Sequence, residues 1–110
     1  WHLTVLIALQ LQLNWGGKIN LVTVADSKND VEKNYKFLDK LSELTRLPAM
    51  TEFHVIVGTF TESLQKAPRA DINIFGLADN PPLEFMREVP ELCNSSCLFV
   101  RDSGKESAIA

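Results

Sequence analysis

At 110 residues, 45% of them apolar and 23% charged, the chain has the size and composition of one globular domain with a single core. A net charge of -3, with 11 scattered Lys and Arg residues, excludes the basic footprint of a nucleic-acid-binding protein. No apolar run approaches the ~20 residues of a membrane-spanning helix, and two cysteines are too few for a disulfide framework.

The first element is Leu3–Trp15. Leu9, Leu11 and Leu13 alternate with Gln10 and Gln12, which is a strand period. Leu3, Leu6, Ile7, Gln10 and Leu13 also fall at helical spacing. The length of the run and the Gly16-Gly17 stop behind it decide for a helix. It lacks the basic flank and small-residue cleavage site of a signal peptide. It carries more apolar surface than one sheet face needs, so Leu3, Leu6, Leu9 and Leu13 are expected to form a packing or dimer element.

Lys18–Ala25 reads as a strand, with Ile19, Leu21, Val22 and Val24 apolar. Asn29 or Asp30 can cap the next helix, which begins near Val31. There Val31, Tyr35, Leu38, Leu41 and Leu44 form the stripe that faces the sheet, and Pro48 ends the helix after Leu47. Glu52–Gly58 is the next strand, and Thr61–Lys66 is a short helix ended by Pro68.

The β-branched run in Ala70–Leu77 predicts a central strand buried on both faces, with the loop Ala78–Pro82 at the edge where open α/β sheets place ligands. Pro82 opens a helix from Leu83 towards Cys93, with Pro90 expected to kink it. Ser96–Arg101 is the last strand, and the polar tail Asp102–Ala110 is expected to fray. Strands alternating with helices imply an α/β domain: a parallel, doubly wound sheet of about four strands with helices on both faces. The first helix has no preceding strand. It is either an extra layer or the continuation of a strand upstream, and the first residue, Trp1, suggests a fragment of a larger protein.

The chain carries neither G-x-x-x-x-G-K-[ST] nor G-x-G-x-x-G. Gly16-Gly17 precedes a strand and reads as a helix stop. Asp26 ends the first strand at the expected ligand edge, where a carboxylate can bond a ribose hydroxyl, coordinate a cation, cap a helix or close a turn; Asp79 follows the central strand at the same edge, where the two could be adjacent in space. Cys93 and Cys97 lack the further ligands that structural zinc requires and read as half-buried thiols. His2 and His54 have no ligand spacing, and no serine sits in a nucleophile elbow. No acid–base pair stands out, so no catalytic residues, metal or cofactor are assigned.

Two resemblances add to this reading. Ala70–Gly76 (A-D-I-N-I-F-G), Val24–Ser27 (V-A-D-S) and Cys97–Arg101 (C-L-F-V-R) resemble the universal stress proteins, many of which bind ATP. That resemblance implies Asp26 as a nucleotide contact, although the loop after Gly76 lacks the family's glycines. More of the chain is similar to the C-terminal cytosolic domain of cation-chloride cotransporters of the sodium-potassium-chloride type, prokaryotic relatives included. The similar features are the leucine-rich helix Leu3–Trp15, the strand Lys18–Ala25, the strand Ala70–Leu77, the Phe85-Met86 pair and the closing L-F-V-R. This second resemblance implies a non-catalytic regulatory and dimerisation domain on the cytoplasmic side of a membrane. Its partners would be the transmembrane domain of the parent transporter and a second copy of itself, with ATP a ligand only under the stress-protein alternative.

Overall fold

Four helices and four strands alternate along the chain: α1 (His2–Trp15), β1 (Asn20–Ala25), α2 (Val31–Thr45), β2 (Glu52–Val57), α3 (Phe60–Lys66), β3 (Ile72–Gly76), α4 (Leu83–Cys93) and β4 (Ser96–Val100). The computed structural model describes residues 1–77 and 83–109. The sequence-predicted ligand loop Ala78–Pro82, with Asp79 and the helix-opening Pro82, lies outside the described residues.

The fold is α/β and its ladders are parallel, as the alternation requires. β1 pairs with β2 in register from Asn20↔Glu52 to Ala25↔Val57. β3 pairs with β4 from Ile72↔Ser96 to Gly76↔Val100. The strands are divided between two two-stranded ladders, β1-β2 and β3-β4. No backbone hydrogen bond joins one ladder to the other among the described residues. β3 therefore has one free edge, and Ile72 at its start is 36% exposed. It is not the doubly buried central strand that its isoleucines predict.

α1 holds the two ladders together. Its Val5 forms a buried cluster with Leu41 of α2 and Ala108 of the tail, and Leu6, Leu9, Leu21 and Leu47 pack around it. The same helix lies against β3, where a Cβ on Gly76 would stand 3.3 Å from Thr4 Oγ1. Glycine at that position lets helix and strand approach closely. Gly16, at φ 65°, closes α1 with its N–H donated to the Gln12 carbonyl at 2.8 Å. At the other end, no residue of the first turn caps the helix. Instead Asp102, from beyond β4, accepts the Leu3 N–H at 2.8 Å, which satisfies one of the orphan donors of the first turn.

The tail is anchored rather than frayed. Asp102 caps α1, the Ala108 N–H donates to His2 Nδ1 at 3.1 Å, and Ala108 is buried in the core. Polar composition concealed this, because the anchoring partners lie about a hundred residues away in the chain.

Phe75 and Gly76 are consecutive in β3, so their side chains point to opposite faces. Phe75 stacks on Phe99 of β4 at 5.5 Å between ring centroids and meets Phe60 of α3 and Phe85 of α4 at 6.1 and 6.2 Å. α3 and α4 thus cover one face of this ladder and α1 approaches the other. On the first ladder, Leu21, Thr23 and Ala25 share the face turned towards α1 and α2. Leu21 joins the Val5–Leu41 cluster, Thr23 Oγ1 lies 3.4 Å from Asn34 of α2, and Ala25 is buried.

Candidate functional site

α1 ends at one pole of the molecule, beside the turn that connects α2 to β2. α2 itself stops at Arg46, which takes a left-handed conformation at φ 52° and donates its N–H to the Glu43 carbonyl. Pro48 cannot continue the helix, and the Thr51 N–H closes a turn on the Pro48 carbonyl at 3.0 Å. Between this turn and the end of α1 lies a small cavity of about 200 Å³, lined by Gln12, Gly16-Gly17, Ile19 and Pro48–Thr51 among others. Met50, 80% exposed, lines it, and Leu13 (74%) and Trp15 (75%) are exposed on the adjoining last turn of α1. Lys18 and Glu52 pair across the start of the β1–β2 ladder at 2.6 Å. The hydrogen bond and the charge of Lys18 hold the Glu52 carboxyl below its ordinary value. His54 Nε2 lies 3.2 Å from Asn20 Oδ1 and 3.5 Å from Glu52 Oε2, so it is a satisfied histidine in a polar strand start.

The four α1 leucines singled out by spacing do not share one environment. Leu6 and Leu9 pack against the Val5–Leu41–Ala108 core. Leu3 is half-buried and Leu13 is exposed. Helical spacing gathers them on paper, but α1 is apolar all round, so no stripe in its sequence says which side turns inward.

A second concavity, of about 450 Å³, lies at the carboxyl end of β1 and is lined by Val24, Ala25, Asp26, Asp30, Lys33, Asn34 and Phe37. Asp26 is exposed on its rim. Much of the polar lining is engaged internally. Asn34 Nδ2 donates to the Asp30 carbonyl at 2.8 Å, Thr23 Oγ1 lies 3.4 Å from Asn34 Oδ1, and Ser27 Oγ lies 3.4 Å from Asp30 Oδ2. The arrangement is that of a helix start secured by its own side chains.

Residues 1–109 match the model of the prokaryotic cation-chloride cotransporter C-terminal domain, second. The chain belongs to this family. A solved structure described as "Crystal structure of the cytoplasmic domain of a prokaryotic cation chloride cotransporter" shares the fold with a TM-score of 0.88 and 36% sequence identity. The match covers 97% of this chain and 41% of that one, so the chain spans less than half the length of the matched structure. No curated protein matches the sequence.

In this cotransporter domain, Cys93 and Cys97 are free and half-buried. Burial, then the neighbouring Cys97 thiol, pushes the Cys93 thiol above its ordinary value, which makes it a poor nucleophile. No group of three or more His, Cys, Asp or Glu side chains could hold a metal ion among the described residues, and no helix there is long and apolar enough to cross a membrane. Trp15, Met50 and Ala108 were not among the residues singled out by sequence. Trp15 and Met50 flank the Gly16-Gly17 stop and Pro48, and apolar side chains beside chain-turning residues are the signal that could have found them.

Proposed function

We propose that this chain is a non-catalytic regulatory and assembly module on the cytoplasmic side of a cation-chloride cotransporter, acting through its surfaces. Membership of the cotransporter family and the likeness to the cytoplasmic-domain structure support the setting. The observation that carries the surface reading is the exposure of Leu13 and Trp15 on the last turn of α1, with Met50 exposed at the adjoining cavity. Exposed apolar surface is what interaction sites on folded domains present.

Within the α1 element Leu3–Leu13, the packed leucines and the exposed one divide the labour. Leu6 and Leu9 fix the helix to its core, and Leu13 presents the outer end to a second copy of the domain or to the transmembrane part of the parent. The experiment is sedimentation velocity on Leu13→Glu and Trp15→Glu across a concentration series. Loss of self-association, with circular dichroism and melting temperature unchanged, supports the reading. Variants that associate as the parent chain does would refute it.

A further inference from the structure

Two thiols meet where α4 hands over to β4. Phe85, Val89 and Cys93 recur at every fourth residue of α4, so they lie along one stripe of the helix. Phe85 meets Phe75 and Phe99 of the ladder, and Val89 is 2% exposed, so this stripe faces inward. Cys93 ends the stripe as the last residue of α4. On β4, Cys97 and Phe99 share a face, because successive residues of a strand alternate. That face is the one α4 covers. Cys93 and Cys97 therefore address the same layer from its two sides.

The turn between them is held in place. Asn94 takes a left-handed conformation at φ 50° and donates its N–H to the Pro90 carbonyl at 3.0 Å, which ends α4 and reverses the chain. The Asn73 side-chain amide, on β3, donates to Ser95 Oγ and ties the turn to the ladder. The Cys97 thiol donates to the Ser95 carbonyl at 3.6 Å. Both thiols are free and half-buried. After burial, the charge and the hydrogen bond of Cys97 act directly on the Cys93 thiol, and such effects require neighbouring sulfurs.

We propose that Cys93 and Cys97 form a reversible oxidation site, which closes as an intramolecular disulfide and clasps the end of α4 to β4. The oxidant is a low-molecular-weight disulfide. Cys97, as the thiolate, attacks one sulfur of it, and the other sulfur leaves as a thiol after taking up a proton. Cys93 gives up its proton, attacks Cys97 Sγ in the mixed disulfide and expels the second thiol. Two protein thiols are oxidised, one small disulfide is reduced, and both protein protons end on the two released thiols. Cys97 attacks first because the Cys93 thiol is the poorer nucleophile. A reducing cytoplasm keeps the clasp open, and disulfides there are transient and redox-sensing. The site does not involve Leu13 or Trp15, so it stands apart from the assembly role.

The test equilibrates the chain with reduced and oxidised glutathione at a series of ratios, quenches with acid, alkylates under denaturing conditions and reads intact mass. As the ratio shifts to the disulfide, a monomer two hydrogens lighter and closed to alkylation should accumulate. Excess reduced glutathione should return both thiols. The equilibrium constant for closure should be about tenfold or more larger in the folded chain than in urea, because the fold presents one thiol to the other. Cys93→Ser should stop at a mixed disulfide on Cys97. Two alkylated thiols at every ratio would overturn the inference, as would oxidation that ends in glutathione adducts or in linked dimers. A closure constant in the folded chain no larger than in urea would also overturn it, by showing that the fold does not build the site.

Discussion

The half built from α1, β1, α2 and β2 differs from the half built from α3, β3, α4 and β4 in how it excludes water. The first packs aliphatic side chains to full burial: Val5, Ala25, Leu38 and Leu41 are all in its core, with Thr45 Oγ1 returned to the Leu41 carbonyl at 2.7 Å. The second buries the aliphatic Val89 and Val100 but adds four phenylalanines, Phe60, Phe75, Phe85 and Phe99, at 5.2 to 6.2 Å between centroids. Phe60 there is 40% exposed, and Ile72 and Leu98 stay partly open on the strands. Close aliphatic packing gives a rigid core that tolerates little loss of volume. Aromatic rings meeting edge to face hold a shape through large contacts even where some area stays wet.

This contrast can be broken most severely at Leu6. A charge there would be partly desolvated against Val5, Leu41 and Ala108. Leu6→Glu should therefore unfold the domain in circular dichroism, whereas the exposed Leu13→Glu should leave it folded. Next in size is Leu41→Ala. Leu41 is 6% exposed, and its truncation should cost about 2–5 kcal/mol in denaturant titration. Phe99→Leu in the second half should cost less, under about 1.5 kcal/mol, since a half-open aromatic cluster can repack. Equal losses at the two sites would erase the distinction between the halves.

Smaller again is the start of α3. Thr59 and Glu62 form a capping box: the Glu62 N–H donates to Thr59 Oγ1 at 3.3 Å, and the Thr59 N–H donates to Glu62 Oε2 at 3.4 Å. Thr59→Ala should lower stability by about 1 kcal/mol. The smallest effect belongs to the exposed Lys18–Glu52 pair. Lys18 depresses the Glu52 pKa in the folded state, so its contribution is present above the ordinary carboxylate pKa. It is lost as pH falls through the lowered folded value. Lys18→Ala should flatten that part of the stability profile and change little at neutral pH. At the Asp26 concavity, excess Mg-ATP should bring no rise in melting temperature. A ligand at a hundred times its dissociation constant would add about 2.7 kcal/mol, which a melting curve shows easily.

Periodicity made the first half legible. The stripe of α2 names Leu38 and Leu41, which are buried, but it also names Tyr35 and Leu44, which are 42% and 38% exposed. The inward side is centred on Leu38, Leu41 and Thr45, because the Thr45 hydroxyl bonds back to its own helix and so can be buried. Helix and strand types along the rest of the chain follow from apolar spacing and from Gly and Pro stops. Pro90 is accommodated within the span of α4. Long-range partnerships were not legible. Nothing local in Asp102 says that it caps α1, and nothing in Ala108 says that it fills the first core. In α1 itself, apolar residues on every side conceal that Leu6 packs inward while Leu13 faces outward.

The claim that this domain works through the pole at the end of α1 is tested most directly by sedimentation velocity on the 12.3 kDa chain and its Leu13→Glu variant at rising concentration. The parent chain should move from monomer to dimer, and the variant should remain a folded monomer. Identical mass distributions for the two proteins at every concentration would contradict it.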